Sequence, residues 1–310
     1  MLGRRQLREK TMQALYVWKM NGKDANVRII EKNLINEVDQ IYDLYIYLLN
    51  LLKFLKTTAE EKIEVGKNKN LPSAEELNPN MKFVNNRIFG MLESNEELNN
   101  YTSKNMQLTW NKLENKCPSN IFNAIISSPE YKSYMNSGVD SFNEDKAFLI
   151  NIYAEYIAPN EELADWLEEK SIYWVDDMHI GNSMVQTTLE SFIPISQTAV
   201  NSFKLFKVFK DDDDRKFLSE LFRRTIRYND ETEKIITEKA TNWEADRIAV
   251  LDFVILQMAL TEFMYFSEIP PKVTLNEYIE LSKVYSTEKS KIFVNGILDR
   301  SLKDLKRNLN

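Results

Sequence analysis

The chain has 310 residues, 43% of them hydrophobic and 28% charged, with 47 acidic against 40 basic side chains and a formal net charge of −7. Seven glycines and eight prolines are too few for the turns of an all-β fold, and no two glycines are close enough for a dinucleotide or P-loop phosphate cradle. One cysteine, Cys117, and one histidine, His179, leave too few soft ligands for zinc and exclude an internal disulfide. The expectation is an all-α protein without cofactor or metal.

The first predicted helix opens with GRRQLREKTMQALYVWKM, residues 3 to 20. Leu7, Ala14, Leu15 and Trp18 recur at near-helical spacing and mark an inward face. Arg4 and Arg8 lie four apart and are expected to stack on one outer face, with Arg5 turned by about 100°. Three guanidiniums at a helix start are disfavoured by the helix dipole, so the pattern points to a negatively charged partner. The same charges, with Glu9 and Lys10, interrupt any leader-like apolar stretch, and a cytoplasmic location is expected.

A long helical pattern follows over residues 27 to 56, with Ile41, Leu44, Tyr45, Leu48, Leu52 and Leu55 on its apolar side, and its length suggests an extended hairpin arm. LPSAEELNP (71–79) and SPEYKSYMNSG (128–138) read as irregular, and FNEDKAFLINIYAEYIAP and NEELADWLEEKSIYWVDDMH as aromatic-rich helices. The run DDDD at 211–214 fits the first turn of a helix better than a metal site, because one contiguous carboxylate run lacks a second shell. In the following FLSELFRRTIRY, Phe217, Leu221, Thr225 and Tyr228 can share a face.

Leu251 to Phe266 is the most apolar long run, yet Asp252, Gln257 and Glu262 interrupt it, and it is shorter than the roughly 20 residues of a membrane span. It reads as a buried helix. In IPPKVTLNEYIELSKVY (269–285), Pro270 and Pro271 end the preceding helix, and Thr274 with Glu277 reads as a capping box stapled by Val273 and Tyr278. A last helix from about Ser286 carries Phe293, Ile297, Leu298, Leu302 and Leu305, with Gly296 inside it explained by close helix packing.

Charge is unevenly spread. Residues 1–20 carry five basic side chains against one acid, and residues 283–310 seven against three, so each end is +4 and the stretch between them −15. Two basic ends on an acidic body suggest a local polyanion site, because local field governs contact with phosphate. Solvated terminal charges explain the same pattern without a ligand.

RRQLREKTMQALY near the start, with ADRIAVLDFVILQMALTEF, IPPKVTLNEYIELSK and KIFVNGILDR near the end, resembles the NusB family of bacterial transcription antitermination factors. The resemblance implies a NusB-like helical bundle that binds boxA-type RNA of ribosomal RNA transcripts together with a small-subunit ribosomal protein, NusE, before the RNA polymerase elongation complex. It implies RNA contacts at Arg4, Arg5, Arg8, Gln13, Lys283, Lys289 and Phe293, the last as a stacking platform, and partner contacts at Tyr16 and Asp252. Tyr16 and Phe293 also fit plain packing.

Leu7 and Thr11 replace small residues of the family pattern, Gln257 stands where a basic residue is common, and Lys289 where an acid is. The family domain needs only part of this length. Residues 1–24 and 200–310 are assigned to it, leaving 25–199 as a helical insertion, either an extended hairpin or a lobe. No catalytic constellation is legible, and a methyltransferase reading fails for want of a glycine-bearing cofactor domain. The alternative is a protein-interaction scaffold of the transcription machinery with little RNA binding of its own.

Overall fold

The computed structural model describes residues 2–112, 116–194, 203–240 and 248–308, the side chains of Lys23, Glu288, Lys289 and 305–308 excepted. The described residues are helical and contain no strand. They form two compact units, Met1–Val38 with Phe209–Asn310, and Asp39–Val208.

The chain starts with α1 (Arg4–Asn21) and α2 (Val27–Lys67). Between them Gly22 ends α1 with φ of +55°, a conformation that a side chain would strain. The boundary between the two units falls within α2, at Val38 and Asp39.

The unit Asp39–Val208 holds the rest of α2, then α3 (Ala74–Leu77), α4 (Arg87–Glu93), α5 (Glu96–Lys104), α6 (Cys117–Ser127), α7 (Pro129–Asn136), α8 (Phe142–Ile152), α9 (Glu161–Lys170) and α10 (Met178–Ser191). A π-helical turn, Tyr153–Ile157, continues α8. Every predicted apolar position of α2 is buried, but so are Ile46, Tyr47, Leu49 and Leu51 on its other sides. A helix apolar all round belongs in a core, so this stretch is enclosed and does not project as an arm.

The stretch 128–138, expected to be irregular, is largely α7. Ser128 accepts the Tyr131 N–H at 3.0 Å, and Pro129 supplies the preset first helical position. Close packing by a glycine occurs in this unit. A Cβ on Gly181 of α10 would stand 2.8 Å from Leu44 Cγ and Cδ2.

The other unit completes itself with α11 (Asp212–Arg227), α12 (Asn229–Lys239), α13 (Val250–Tyr265), α14 (Pro271–Tyr285) and α15 (Glu288–Asn308). Helix α13 is its centre, packed against α1, α11, α12, α14 and α15. Val254 to Leu260 and on to Glu262 are buried without a break, as the apolar run predicted. No described helix is long and apolar enough to cross a membrane.

Two local expectations differ from the structure. Helix α14 begins at Pro271, so Thr274 lies inside it and caps nothing. Pro271 at the first helical position already has the required φ and no N–H to satisfy, which lets the helix start a turn early. Gly296 is not a close-packing glycine, because a Cβ there would meet no atom within 4 Å.

Candidate nucleic-acid interface

The start of α1 is the centre of the candidate surface. No acid occupies its first turn, and Gln6 Oε1 accepts the Gly3 N–H at 3.0 Å to close its open end. The three arginines part ways here. The Arg4 and Arg5 side chains are 39% and 51% exposed, whereas that of Arg8 is 3% exposed.

Arg8 therefore does not share an outer face with Arg4. Its Nε donates to Glu262 Oε2 at 2.8 Å and its Nη2 to Oε1 at 2.7 Å, a bidentate pair in the buried centre of the unit. Thr274 Oγ1 donates to the same carboxylate at 2.7 Å and the Tyr278 hydroxyl at 3.1 Å. Glu262 thus joins α1, α13 and α14. Burial opposes the Arg8 charge, but the Glu262 hydrogen bond and neighbouring charges outweigh it and hold its pKa above the ordinary value. Burial, then the Glu262 charge, pushes the Tyr278 phenol well above its usual range, so it remains a donor.

Arg4 and Arg5 lie at the rim of this cluster. Arg5 Nε and Nη2 donate to Glu277 Oε2 and Oε1 at 2.8 and 2.9 Å. The hydrogen bond from Arg5, opposed by burial, keeps the Glu277 carboxyl below its usual pKa. Arg4 Nε donates to Asp214 Oδ1 at 3.3 Å, and its guanidinium lies 4.9 Å from the centre of the Phe217 ring. Asp214 belongs to the DDDD run, where Asp211 Oδ1 accepts the Asp214 N–H at 3.1 Å as an N-cap.

The other predicted residues spread over the unit. Lys283 is exposed near the end of α14 and donates to Glu280 at 2.5 Å. Gln13 is half-buried on α1, and Tyr16 is 38% exposed. Phe293 is only 5% exposed, packed into the α15 face with Val294 and Ile297, so it offers no open ring for a base. Asp252 is buried as well, and accepts the Ser286 hydroxyl where α14 gives way to α15. The Lys289 side chain lies outside the described residues.

Sequence reasoning missed the carboxylates Asp214, Glu262 and Glu277 as partners of the arginines. The available signal was Glu262 itself, an acid inside an otherwise apolar run, which burial obliges to find a cation. In the other unit Cys117 is buried, with its thiol pushed up to about 12 by burial and the Glu162 charge, and His179 is exposed, its Nδ1 3.0 Å from the Asp176 carbonyl. No group of three or more His, Cys, Asp or Glu able to hold a metal occurs among the described residues.

The NusB family model matches residues 175–303, a range that leaves α1 outside it. The chain is similar to proteins named transcription antitermination protein NusB. That of Salinibacter ruber is 42% identical over 110 residues, 36% of this chain and 69% of the relative. Those of Chloroherpeton thalassium and Thermodesulfovibrio yellowstonii are 38% and 39% identical, over 30% and 31% of this chain and 44% and 63% of theirs. The central apolar helix, the Ile269-Pro270-Pro271 helix start and the FVNG segment of the last helix all fall within the matched range, and the chain belongs to the NusB family.

Proposed function

We propose that this protein is a non-enzymatic RNA-binding transcription antitermination factor. In this reading it holds boxA-type RNA of ribosomal RNA transcripts jointly with the small-subunit ribosomal protein NusE and presents both to elongating RNA polymerase. The observation that carries the reading is the pair of exposed guanidiniums, Arg4 and Arg5, at the start of a helix without first-turn acids, in a chain whose relatives are antitermination proteins. Phosphates would take the outer edges of Arg4 and Arg5, with Lys283, Gln13 and Lys289 extending the contact. Arg8 would act as a positioning residue that fixes α1. Tyr16 would face the protein partner, and Asp252 and Phe293 would support the surface from within.

Fluorescence anisotropy of a boxA-like single-stranded RNA and a shuffled one, with and without the ribosomal protein, at two salt concentrations, tests this. Preference for the boxA-like RNA that sharpens with the partner is expected. Arg4→Ala and Arg5→Ala should each lower the slope of log affinity against log salt by about 0.7. A second reading, the interaction scaffold, draws on the separate core and acidic balance of residues 39–208. Equal weak binding of both RNAs, indifferent to the two arginines, would favour it.

A further inference from the structure

Three cations of the candidate RNA surface, Arg4, Arg5 and Lys283, are already occupied. Arg5 gives its Nε and Nη2 edge to Glu277, Arg4 gives Nε to Asp214, and Lys283 is held by Glu280. Glu277, Glu280 and Lys283 follow one another at intervals of three along α14, so they lie on neighbouring positions of one helix surface. Glu277 Oε2 also comes within 4.0 Å of Arg8 Nη1.

We propose that Glu277, seconded by Glu280, is an intramolecular stand-in for phosphate that sets the threshold and selectivity of RNA binding. The inference rests on the RNA-binding reading above. A carboxylate and a phosphate present the same pair of acceptor oxygens to an arginine fork. A single phosphate that takes over Arg5 exchanges one charge-assisted contact for another and leaves Glu277 beside a new negative charge. Net gain then requires several contacts at once, including base contacts, and an arbitrary strand that supplies phosphates alone is rejected. Glu262 does not share this role, because it is buried and filled by Arg8, Thr274 and Tyr278.

Glu277→Gln keeps the size of the side chain and removes its charge. With the full-length protein and the two RNAs above, we expect it to tighten binding of both by roughly two- to five-fold, the range of an exposed ion pair. The shuffled RNA should gain more, so that the ratio of the two affinities shrinks. Glu280→Gln, further out on α14, should act in the same direction through Lys283 and carries the test if circular dichroism finds the first variant unfolded. If folded variants bind both RNAs no more tightly than the wild type while Arg5→Ala still weakens binding, the stand-in is overturned and the RNA-binding reading survives. If Arg5→Ala has no effect on the wild-type affinity, the RNA-binding reading falls, and the stand-in with it.

Discussion

Arg8 and Glu262 lie 254 residues apart in sequence and share one buried bidentate contact. Removing one member strands the other, and Arg8→Ala should cost about 3–5 kcal/mol in urea denaturation. Arg8→Leu combined with Glu262→Leu should cost less than Arg8→Leu alone, since no buried charge is left. Glu277 makes a pH prediction. Its folded pKa is depressed, so its contribution is present above the unfolded carboxylate value of about 4.3 and is lost as pH falls through the folded value. Glu277→Gln should therefore flatten the loss of stability measured from pH 5 downward. The arginine-rich start was legible in the sequence as a cluster of like charges. Its division into an inward Arg8 and outward Arg4 and Arg5 was not, because the counterion that decides it sits in α13.

At the scale of elements, the polar interruptions of α13 have specific partners. Asp252 accepts Ser286, Gln257 Nε2 donates to Asn229 Oδ1 at 2.7 Å where α12 begins, and Glu262 takes Arg8. Periodicity identified the helix and its burial, yet it carries no information about which neighbour each polar group meets. The same limit explains α14, where Thr274 and Glu277 have capping-box spacing but serve Glu262 and Arg5. Two of the helical glycines predict opposite signs. Gly296→Ala should raise the stability of α15 by up to about 1 kcal/mol, since the new methyl meets nothing within 4 Å. Gly181→Ala should lower it by about 1–3 kcal/mol, because Leu44 is fully enclosed and cannot retreat. Thermal melts of the two variants check both.

Across the whole molecule, charge follows the division into units. Residues 39–208 hold 15 basic and 24 acidic side chains, a balance of −9, and the remainder hold 25 and 23, a balance of +2, which together give −7. The net acidity of the chain is thus carried by the unit that lacks Arg4, Arg5 and Arg8. The sequence announced the extra length and its helical, aromatic character, but not that it closes around its own core, since enclosure depends on contacts distant along the chain. Leu48→Ala in that core should cost about 2–5 kcal/mol and leave RNA affinity unchanged while the variant is folded. A parallel fall in RNA affinity would show that the strand-binding surface needs residues 39–208. The inward turn of Arg8 also provides a reporter. An arginine-selective reagent such as phenylglyoxal has access to Arg4 and Arg5 in the native protein, but reaches Arg8 only when α1 lifts from α13. The ratio of adducts within one peptide would therefore read out opening of the bundle, and RNA bound as proposed would suppress the first two adducts without raising the third.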